Sequence, residues 1–455
     1  MAPRKPLQTC PSISHRHILC LYLVFLEELV LLLDIWYTSS GYHLSPVPDQ
    51  LHIIMSNPVY LGVIGTYPKK HLQPTATLIR YIPIHFNFRK NTNSAAGVGG
   101  VGTAFLSQLA RLPNAPKLVL LARSSQTLQS PTPAYSPAIP AADWKTAVET
   151  PSLIKSGALS VDEIASYLSS APGRSILVDN TSDLTLASSY PVFLRKGISI
   201  VTPNKKGFSS DLSLWKDIFA AAAEGKALVY HESTVGAGLP VISTLRDLVS
   251  TGDEVTRIEG VFSGTLSFLF NTFAPVSGPS GAKWSEVVAK AKELGYTEPD
   301  PRDDLNGMDV ARKLTILARI AGLEVQSPDS FPIESLIPKE LESVPSTADG
   351  IKEFMTRLPE FDGQMSAIKE AAEKEGKVVR YVGSVDVGKK EVRVGLQYFD
   401  KDSSIAGLKG SDNIISFYTK RYGGNPLVVQ GSGAGGDVTA MGVSADLIKV
   451  VQRLQ

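Results

Sequence analysis

Cysteine is nearly missing from this 455-residue chain: Cys10 and Cys20 are the whole complement. Histidine is almost as scarce. Six of the seven lie between His15 and His85, and beyond Gly97 only His231 remains. From Gly97 onward these absences argue against a disulfide scaffold, a Cys/His zinc site and a thiol nucleophile, and they leave a Ser-His-Asp hydrolase a single histidine. Proton transfer there falls to Lys, Asp, Glu, Tyr or His231. A surplus of one charge is lacking too. Lys+Arg number 45 against 44 Asp+Glu, a net charge of +1, which provides no general footprint for nucleic acid. Apolar residues make up 43% and charged residues 20%, the balance of a folded chain, and the length suits two large domains or three ordinary ones.

The first hundred residues read differently from the rest. Ile18 to Tyr37 is an apolar run close to the ~20 residues that span a bilayer. Glu27, Glu28 and Asp34 interrupt it, and each costs about 2.5–3.5 kcal/mol at a helix centre. The run also lacks a clear small-residue cleavage site. No membrane association is therefore expected, and the protein reads as cytoplasmic.

A buried strand is predicted over Val59 to Ile64, and a strand ending in glycine should open a phosphate-binding turn. Gly65 is instead followed by 31 residues, Thr66 to Ala96, with no helical or strand period. Then come Gly97-Val98-Gly99-Gly100-Val101-Gly102 and an amphipathic helix start, TAFLSQLARL. Merging Gly65 with Gly97 gives VYLGVIGVGGVGTAFLSQL, a complete strand–turn–helix. We therefore read 66–96 as a retained intron translated in frame and 1–54 as upstream sequence wrongly joined. A genuine insertion loop is the competing reading, but structureless loops of this length are uncommon.

The glycines carry a chemistry. Gly97 allows the tight turn, Gly99 lets backbone amides approach a pyrophosphate, and Gly102 permits close packing of helix on strand. The helix beginning near Thr103 aims its positive end at the phosphates, with Val101 in the turn just before it. A second buried strand, Lys117 to Ala122, ends in Arg123 where NAD enzymes offer a carboxylate to the ribose. An arginine there suits a 2′-phosphate and predicts a preference for NADP, although a solvated surface arginine looks the same in sequence. Further strands at Ser175 to Val178, Ile198 to Val201 and Ala227 to Tyr230 end in polar residues. With a helix over Phe208 to Ala223 they predict a parallel sheet with a ligand crevice along one edge. Ser124 to Pro140 reads as a Ser/Pro-rich surface loop.

An acidic segment follows. Gly295 to Asp304 contains Pro299 and Pro301 and reads as a rigid loop leading into a helix that ends at Ile320. Asp309 and Lys313 share a face of that helix. Glu298, Asp303, Asp304 and Asp309 place several carboxylates near one lysine. Such a cluster can hold a substrate ammonium and position a lysine as acid. A single exposed pair of this kind is otherwise only a surface feature.

DNTSD, TPNKKGFSSD, YHESTVGAGLP, EGVFSGTLSFLFN and LGYTEPDPRDDLNGMDVARK together resemble homoserine dehydrogenase in its short fungal, monofunctional form. The resemblance runs from Met55 to Ile64 and from Gly97 to the end, about four-fifths of the chain. It implies reversible hydride transfer between L-homoserine and L-aspartate 4-semialdehyde with NADP or NAD, on the route to threonine, methionine and isoleucine. It implies Lys313 as proton donor with Asp309 beside it, and Glu298 and Asp304, with Asp309, at the substrate. Lys205 of TPNK would contact cofactor or substrate and is a second acid–base candidate. Thr181, Ser182, Gly295 and Gly435 match cofactor contacts. A structural sodium ion would map to Glu232 and the carbonyls of Val235, Ala237 and Leu239.

The implied architecture is α/β: a Rossmann-type parallel-sheet dinucleotide domain at 55–238 and an α+β catalytic and dimerisation domain with a mixed sheet at 239–430. Strands are expected at Glu254 to Gly264, Val378 to Val387, Glu391 to Tyr398, Asn413 to Lys420 and Leu427 to Gln430. The segment 431–455 would be a helix returning to the cofactor domain, and the protein a homodimer. Aspartate-semialdehyde dehydrogenase acts on the same aldehyde but needs a cysteine, which is absent here after Cys20. The rivals left are another NADP dehydrogenase of small amino or hydroxy acids and a non-catalytic or membrane-tethered NADP-binding protein disabled by the insert.

Overall fold

VYLGVIG is apolar or glycine at every position, the pattern of a strand covered on both faces. In a computed structural model, which describes residues 58–65, 99–123, 125–278 and 281–454, it forms β1 (Val59–Gly65), every residue of it buried. The chain continues through α1 (Gly100–Leu109), β2 (Lys117–Arg123), β3 (Gln126–Gln129), β4 (Ile154–Ser156), α2 (Val161–Ser169) and β5 (Arg174–Asn180). Next come α3 (Leu184–Ser188), α4 (Tyr190–Arg195), β6 (Ser199–Val201), α5 (Lys206–Ser209), α6 (Leu212–Glu224) and β7 (Val229–Tyr230). These strands form one sheet in the order β4-β3-β2-β1-β5-β6-β7. Its body is parallel, while β3 and β4 add an antiparallel edge.

The second half supplies α7 (Val241–Ser250), β8 (Val255–Val261), α8 (Gly264–Phe273), α9 (Trp284–Glu293), α10 (Arg302–Leu305) and α11 (Met308–Ile320). It ends with α12 (Ala348–Arg357), α13 (Asp362–Lys374), β9 (Lys377–Asp386), β10 (Glu391–Asp400), β11 (Asp412–Thr419), β12 (Leu427–Ser432) and α14 (Gly436–Leu454). Its sheet runs β10-β9-β8-β11-β12. Every strand pairing there is antiparallel, so the expected mixed order belongs to the first sheet rather than the second.

Strand alternation divides the core. Val59, Leu61 and Val63 cluster with Phe105, Leu106 and Leu109 of α1 and with Ala440, Val443, Leu447 and Val450 of α14. Tyr60 and Ile64 point the other way, into a cluster with Leu168 and Phe193. That cluster continues without a break to Ile258, Phe270, Leu314, Leu317 and Val385 around the second sheet. The last helix is tied to the first by specific bonds. Gln108 Nε2 donates to Asp437 O (3.0 Å) and Ser444 Oγ to Gln108 Oε1 (2.9 Å). Glu232 N donates to the buried Asp446 carboxylate (2.8 Å).

Four sequence expectations need correction. The stretch read as a surface loop at 124–140 contains β3 and buries Tyr135 and Ile139, with Tyr135 O–H donating to Tyr167 O. The helix expected over Phe208 to Ala223 is broken at Ser210–Asp211. Arg319 takes the Phe208 and Ser210 carbonyls (2.7 and 2.5 Å), which a continuous helix would have used internally. The strand expected to reach Gly264 stops at Val261, and Ser263 caps α8 by accepting Leu266 N–H. The loop at 295–304 closes into the short helix α10. There Arg302 grips Asp300 with two bonds (2.9 and 2.7 Å) and reaches Val344 O. The apolar run at 18–37, the segment 66–96 and Gly97 lie outside the described residues. Among the described residues no helix is long and apolar enough to cross a membrane.

Candidate active site

The acidic segment and the TPNK turn meet. α11 starts after Gly307, whose φ of +72° sets the turn. Its first turn carries Asp309, and Lys313 follows one turn later. Lys313 Nζ lies 2.8 Å from Asp309 Oδ2 and donates to Phe262 O at 2.6 Å, just past β8. Lys205, immediately before α5, brings Nζ to 3.4 Å from Asp309 Oδ1. One carboxylate thus stands between two ammonium groups. Desolvation works against ionisation of Asp309, but the charges of Lys205 and Lys313 outweigh it and hold the carboxyl below the usual range. Burial pulls the Lys313 pKa down, Lys205 adds to that, and Asp309 opposes it. A buried ammonium with a lowered pKa is a competent acid.

Beside this triad, Glu298 N donates to Asp304 Oδ2 at 2.8 Å. Burial pushes Asp304 up to about 6, and the charges of Glu298 and Asp309 push the same way. Glu298 and Asp304 therefore put two neighbouring carboxylates near Asp309, suited to a cationic group. Gly295, with φ of +74°, turns the chain out of α9 toward them.

At the glycine turn, Gly99 precedes α1, and Val101 and Gly102 lie in its first turn. Gly435, with φ of +108°, stands just before α14. A Cβ on Gly436 would lie 3.2 Å from the Gly100 carbonyl carbon, so the amino ends of α1 and α14 are side by side. Helix amino ends are of the kind that bind phosphate. Thr181 and Ser182 follow β5, and Thr181 N donates to Asp179 Oδ1 (2.7 Å). Arg123 ends β2 with its guanidinium 5.4 Å from the Trp144 ring centre, anchored on the antiparallel edge.

His231 is not catalytic in this geometry. It is buried and stacks on Phe208 at 4.0 Å. Arg246 Nη2 lies 2.6 Å from its Nε2, so Nε2 accepts and Nδ1–H faces Thr234 Oγ1 at 3.2 Å. Burial and the Arg246 charge lower its pKa and keep the ring neutral. Glu232, next in sequence, accepts Ile242 N–H (2.6 Å) and Ser243 N–H (3.0 Å) at the start of α7. Val235, Ala237 and Leu239 form the turn between them, with Ala237 at φ of +54°. Among the described residues no three His, Cys, Asp or Glu side chains gather as for a metal.

Sequence reasoning missed the groups behind the triad. Asn204, Asp179, Tyr190 and Thr202 form a buried hydrogen-bonded set under the TPNK turn. The signal available was polar residues at the ends of two adjacent parallel strands. The Phe262 carbonyl carried no signal.

Two family models match the chain: "Homoserine dehydrogenase, NAD binding domain" over residues 97–232 and "Homoserine dehydrogenase" over 240–448. A homoserine dehydrogenase of Emericella nidulans is 87% identical over 400 residues, covering 88% of this chain and all of that one. One from Paracoccidioides brasiliensis is 72% identical over 364 residues, covering 79% and 97%. Among solved structures, a Candida auris protein of unknown function superposes with a TM-score of 0.75 at 47% identity, covering 88% of this chain and 99% of its own.

Proposed function

Because the chain belongs to the homoserine dehydrogenase family, we infer that it is an oxidoreductase interconverting L-homoserine and L-aspartate 4-semialdehyde in amino-acid biosynthesis. The observation that carries the site assignment is the Lys205–Asp309–Lys313 arrangement beside Glu298 and Asp304. A bound nicotinamide dinucleotide supplies or accepts the hydride. In the reducing direction Lys313 Nζ gives its proton to the forming alkoxide, and its positive charge stabilises that oxygen. Asp309 keeps Lys313 charged and aimed, and Lys205 adds a second positive group. Glu298 and Asp304 hold the substrate ammonium.

The dinucleotide would lie with its pyrophosphate at Gly97, Gly99, Val101 and Gly102, flanked by Gly435. Thr181, Ser182, Lys205 and Gly295 would complete the site along the sheet edge, and Arg123 would favour the 2′-phosphate of NADP. Residues 55–238 would then form the dinucleotide part, 239–430 the catalytic and dimerisation part, and 431–455 the returning helix. The oxygen donors of Glu232, Val235, Ala237 and Leu239 suit a hard cation in their chemistry, and a sodium ion there would brace the turn into α7. A homodimer in the cytoplasm completes the proposal.

The test is homoserine-dependent reduction of NADP+ followed by absorbance, with Lys313→Ala as control. Activity lost in the control supports the assignment. A folded protein that binds NADPH and does not oxidise homoserine overturns it in favour of another NADP dehydrogenase or a non-catalytic binder.

A further inference from the structure

β5 and β6 are parallel neighbours, and each ends in a short polar segment: Asp179-Asn180-Thr181 and Thr202-Pro203-Asn204. The two segments are bound together by a side-chain network with Asp179 at its centre. The Asp179 carboxylate is fully buried. Its Oδ1 accepts Thr181 N–H at 2.7 Å, and its Oδ2 accepts Tyr190 O–H at 2.5 Å and Asn204 Nδ2 at 3.1 Å. No Lys, Arg or His forms an ion pair with it among the described residues.

The network reaches into the TPNK turn on both sides of the lysine. Asn204 Nδ2 also donates to Asp183 O (2.9 Å), and Asn204 Oδ1 accepts Lys206 N–H (3.1 Å). Thr202 Oγ1 donates to Asp179 O (2.7 Å) and accepts Asn204 N–H (2.9 Å). Residues 202, 204 and 206 are therefore tied to the end of β5, and Lys205, flanked by 204 and 206, projects its ammonium to Asp309 instead. Tyr190 supports the same turn by shape, because a Cβ on Gly207 would lie 2.9 Å from its ring.

A buried carboxylate without a cation is costly unless several donors satisfy it. A neutral side chain would serve simple packing better. What the bonds of Asp179 do is fix the geometry of the turn. The fixed geometry is that of Lys205, whose ammonium must meet Asp309 from a different part of the chain.

We propose that Asp179, Tyr190 and Asn204 are positioning residues that hold the turn at 202–206 so that Lys205 stands opposite Asp309. This rests on the catalytic reading of Lys205 and Asp309 above. None of the three need touch the substrate, and their effect passes through Lys205.

Tyr190→Phe removes one hydroxyl and keeps the ring; Asn204→Ala is the second variant. Each is examined for melting temperature, NADPH affinity, kcat and KM. The expected result is a kcat lowered about tenfold to a hundredfold, the scale of a small misplacement, with a modest fall in melting temperature from the lost donor to a buried carboxylate and NADPH affinity changed no more than Lys205→Arg alone changes it. In a Lys205→Arg background the further loss from Tyr190→Phe should be under about twofold, because effects acting through one group do not add. Full activity in both folded variants overturns the proposal. So does the same loss in the Lys205→Arg background, or a fall in NADPH affinity well beyond that of Lys205→Arg alone, which would mark general support of the sheet edge.

One readout needs no turnover. Labelling of Lys205 by an amine-reactive reagent, followed by peptide mass spectrometry, should change in Tyr190→Phe. Unchanged labelling overturns the positioning role. An unsubstituted protein that binds NADPH but does not oxidise homoserine overturns only the catalytic reading.

Discussion

Asp309 and Lys313 stand one helical turn apart on α11 with 2.8 Å between carboxylate and ammonium, and they differ sharply in exposure: 48% for the Asp309 side chain, 8% for Lys313. An exposed i,i+4 pair contributes about 0.3–0.5 kcal/mol and marks nothing. This pair is different because the lysine is sunk into the protein and fastened to the Phe262 carbonyl, while the carboxylate sits at the mouth and meets Lys205 as well. The ammonium has three hydrogens and, among the described residues, two protein acceptors, which leaves one for a substrate oxygen.

That geometry separates two substitutions. Lys313→Met should lower kcat about a hundredfold to ten-thousandfold, the range for a lost general acid, with NADPH binding retained. Asp309→Asn removes the charge that keeps the Lys313 pKa from falling further. Reduction of the aldehyde needs the protonated lysine and fades as pH rises through its pKa. In Asp309→Asn that loss should therefore come at lower pH, by roughly a unit or more. A kcat–pH profile in the reducing direction decides this, and an unmoved basic limb would remove Lys313 from the acid role.

Asp304 predicts the acid side of the profile. Its carboxyl titrates at about 6, and only the ionised form attracts an ammonium. Capture of homoserine should weaken as pH falls through that value, with kcat/KM dropping about tenfold per pH unit below it. At saturating homoserine kcat should fall less, because a bound ammonium stabilises the carboxylate. In Asp304→Asn the whole kcat/KM profile should lie lower and be flat near pH 6. A wild-type limb that survives in this variant would assign the titration to another group.

The i,i+4 spacing placed Asp309 and Lys313 on one helix face, and Pro299 and Pro301 placed the segment before them outside a long helix; the roles of these residues came from the family resemblance. β1 showed as an unbroken apolar run, and α1 and the closing helix as apolar periods. α8 was not readable. Its sequence GTLSFLFNTF is buried on nearly every side, so the 3.6-residue period vanishes and the segment carries no helical signal. β3 was hidden by the serines and prolines around it, and the burial of Tyr135 depends on a tertiary partner, Tyr167. The Asp179–Asn204 bond joins residues 25 apart, and only the parallel pairing of β5 and β6 makes them neighbours.

Two glycines near the site have almost the same φ but different surroundings. Gly295 (φ +74°) has nothing within 4 Å of an added Cβ, whereas a Cβ on Gly307 (φ +72°) would lie 2.1 Å from the Tyr381 hydroxyl. That hydroxyl donates to Glu334 O at 2.6 Å. Gly295→Ala should therefore cost only the left-handed strain, about 1–2 kcal/mol. Gly307→Ala adds displacement of a buried, hydrogen-bonded tyrosine and a shifted start of α11, for a total of about 3 kcal/mol or more with reduced kcat. Urea unfolding of the two variants checks the order; equal costs would mean that Tyr381 yields freely.

The last prediction concerns Thr66 to Ala96. β1 ends at Gly65 and α1 begins at Gly100, so the strand and helix of a dinucleotide turn both exist, with 31 residues placed between Gly65 and Gly97. The pyrophosphate needs the turn to pass directly from strand to helix, because the amides that bind it come from that short path. Closing a long loop costs little, about 0.6 kcal/mol for each doubling of length, so the segment's effect should fall on ligand binding more than on stability. A variant lacking Thr66 to Gly97 and starting at Met55 should bind NADPH on the order of tenfold more tightly than the full chain. Its melting temperature without ligand should be nearly the same. Fluorescence titration with NADPH gives the comparison. Equal affinities would show that the segment is a tolerated loop, and weaker binding in the shortened variant would make it part of the dinucleotide site.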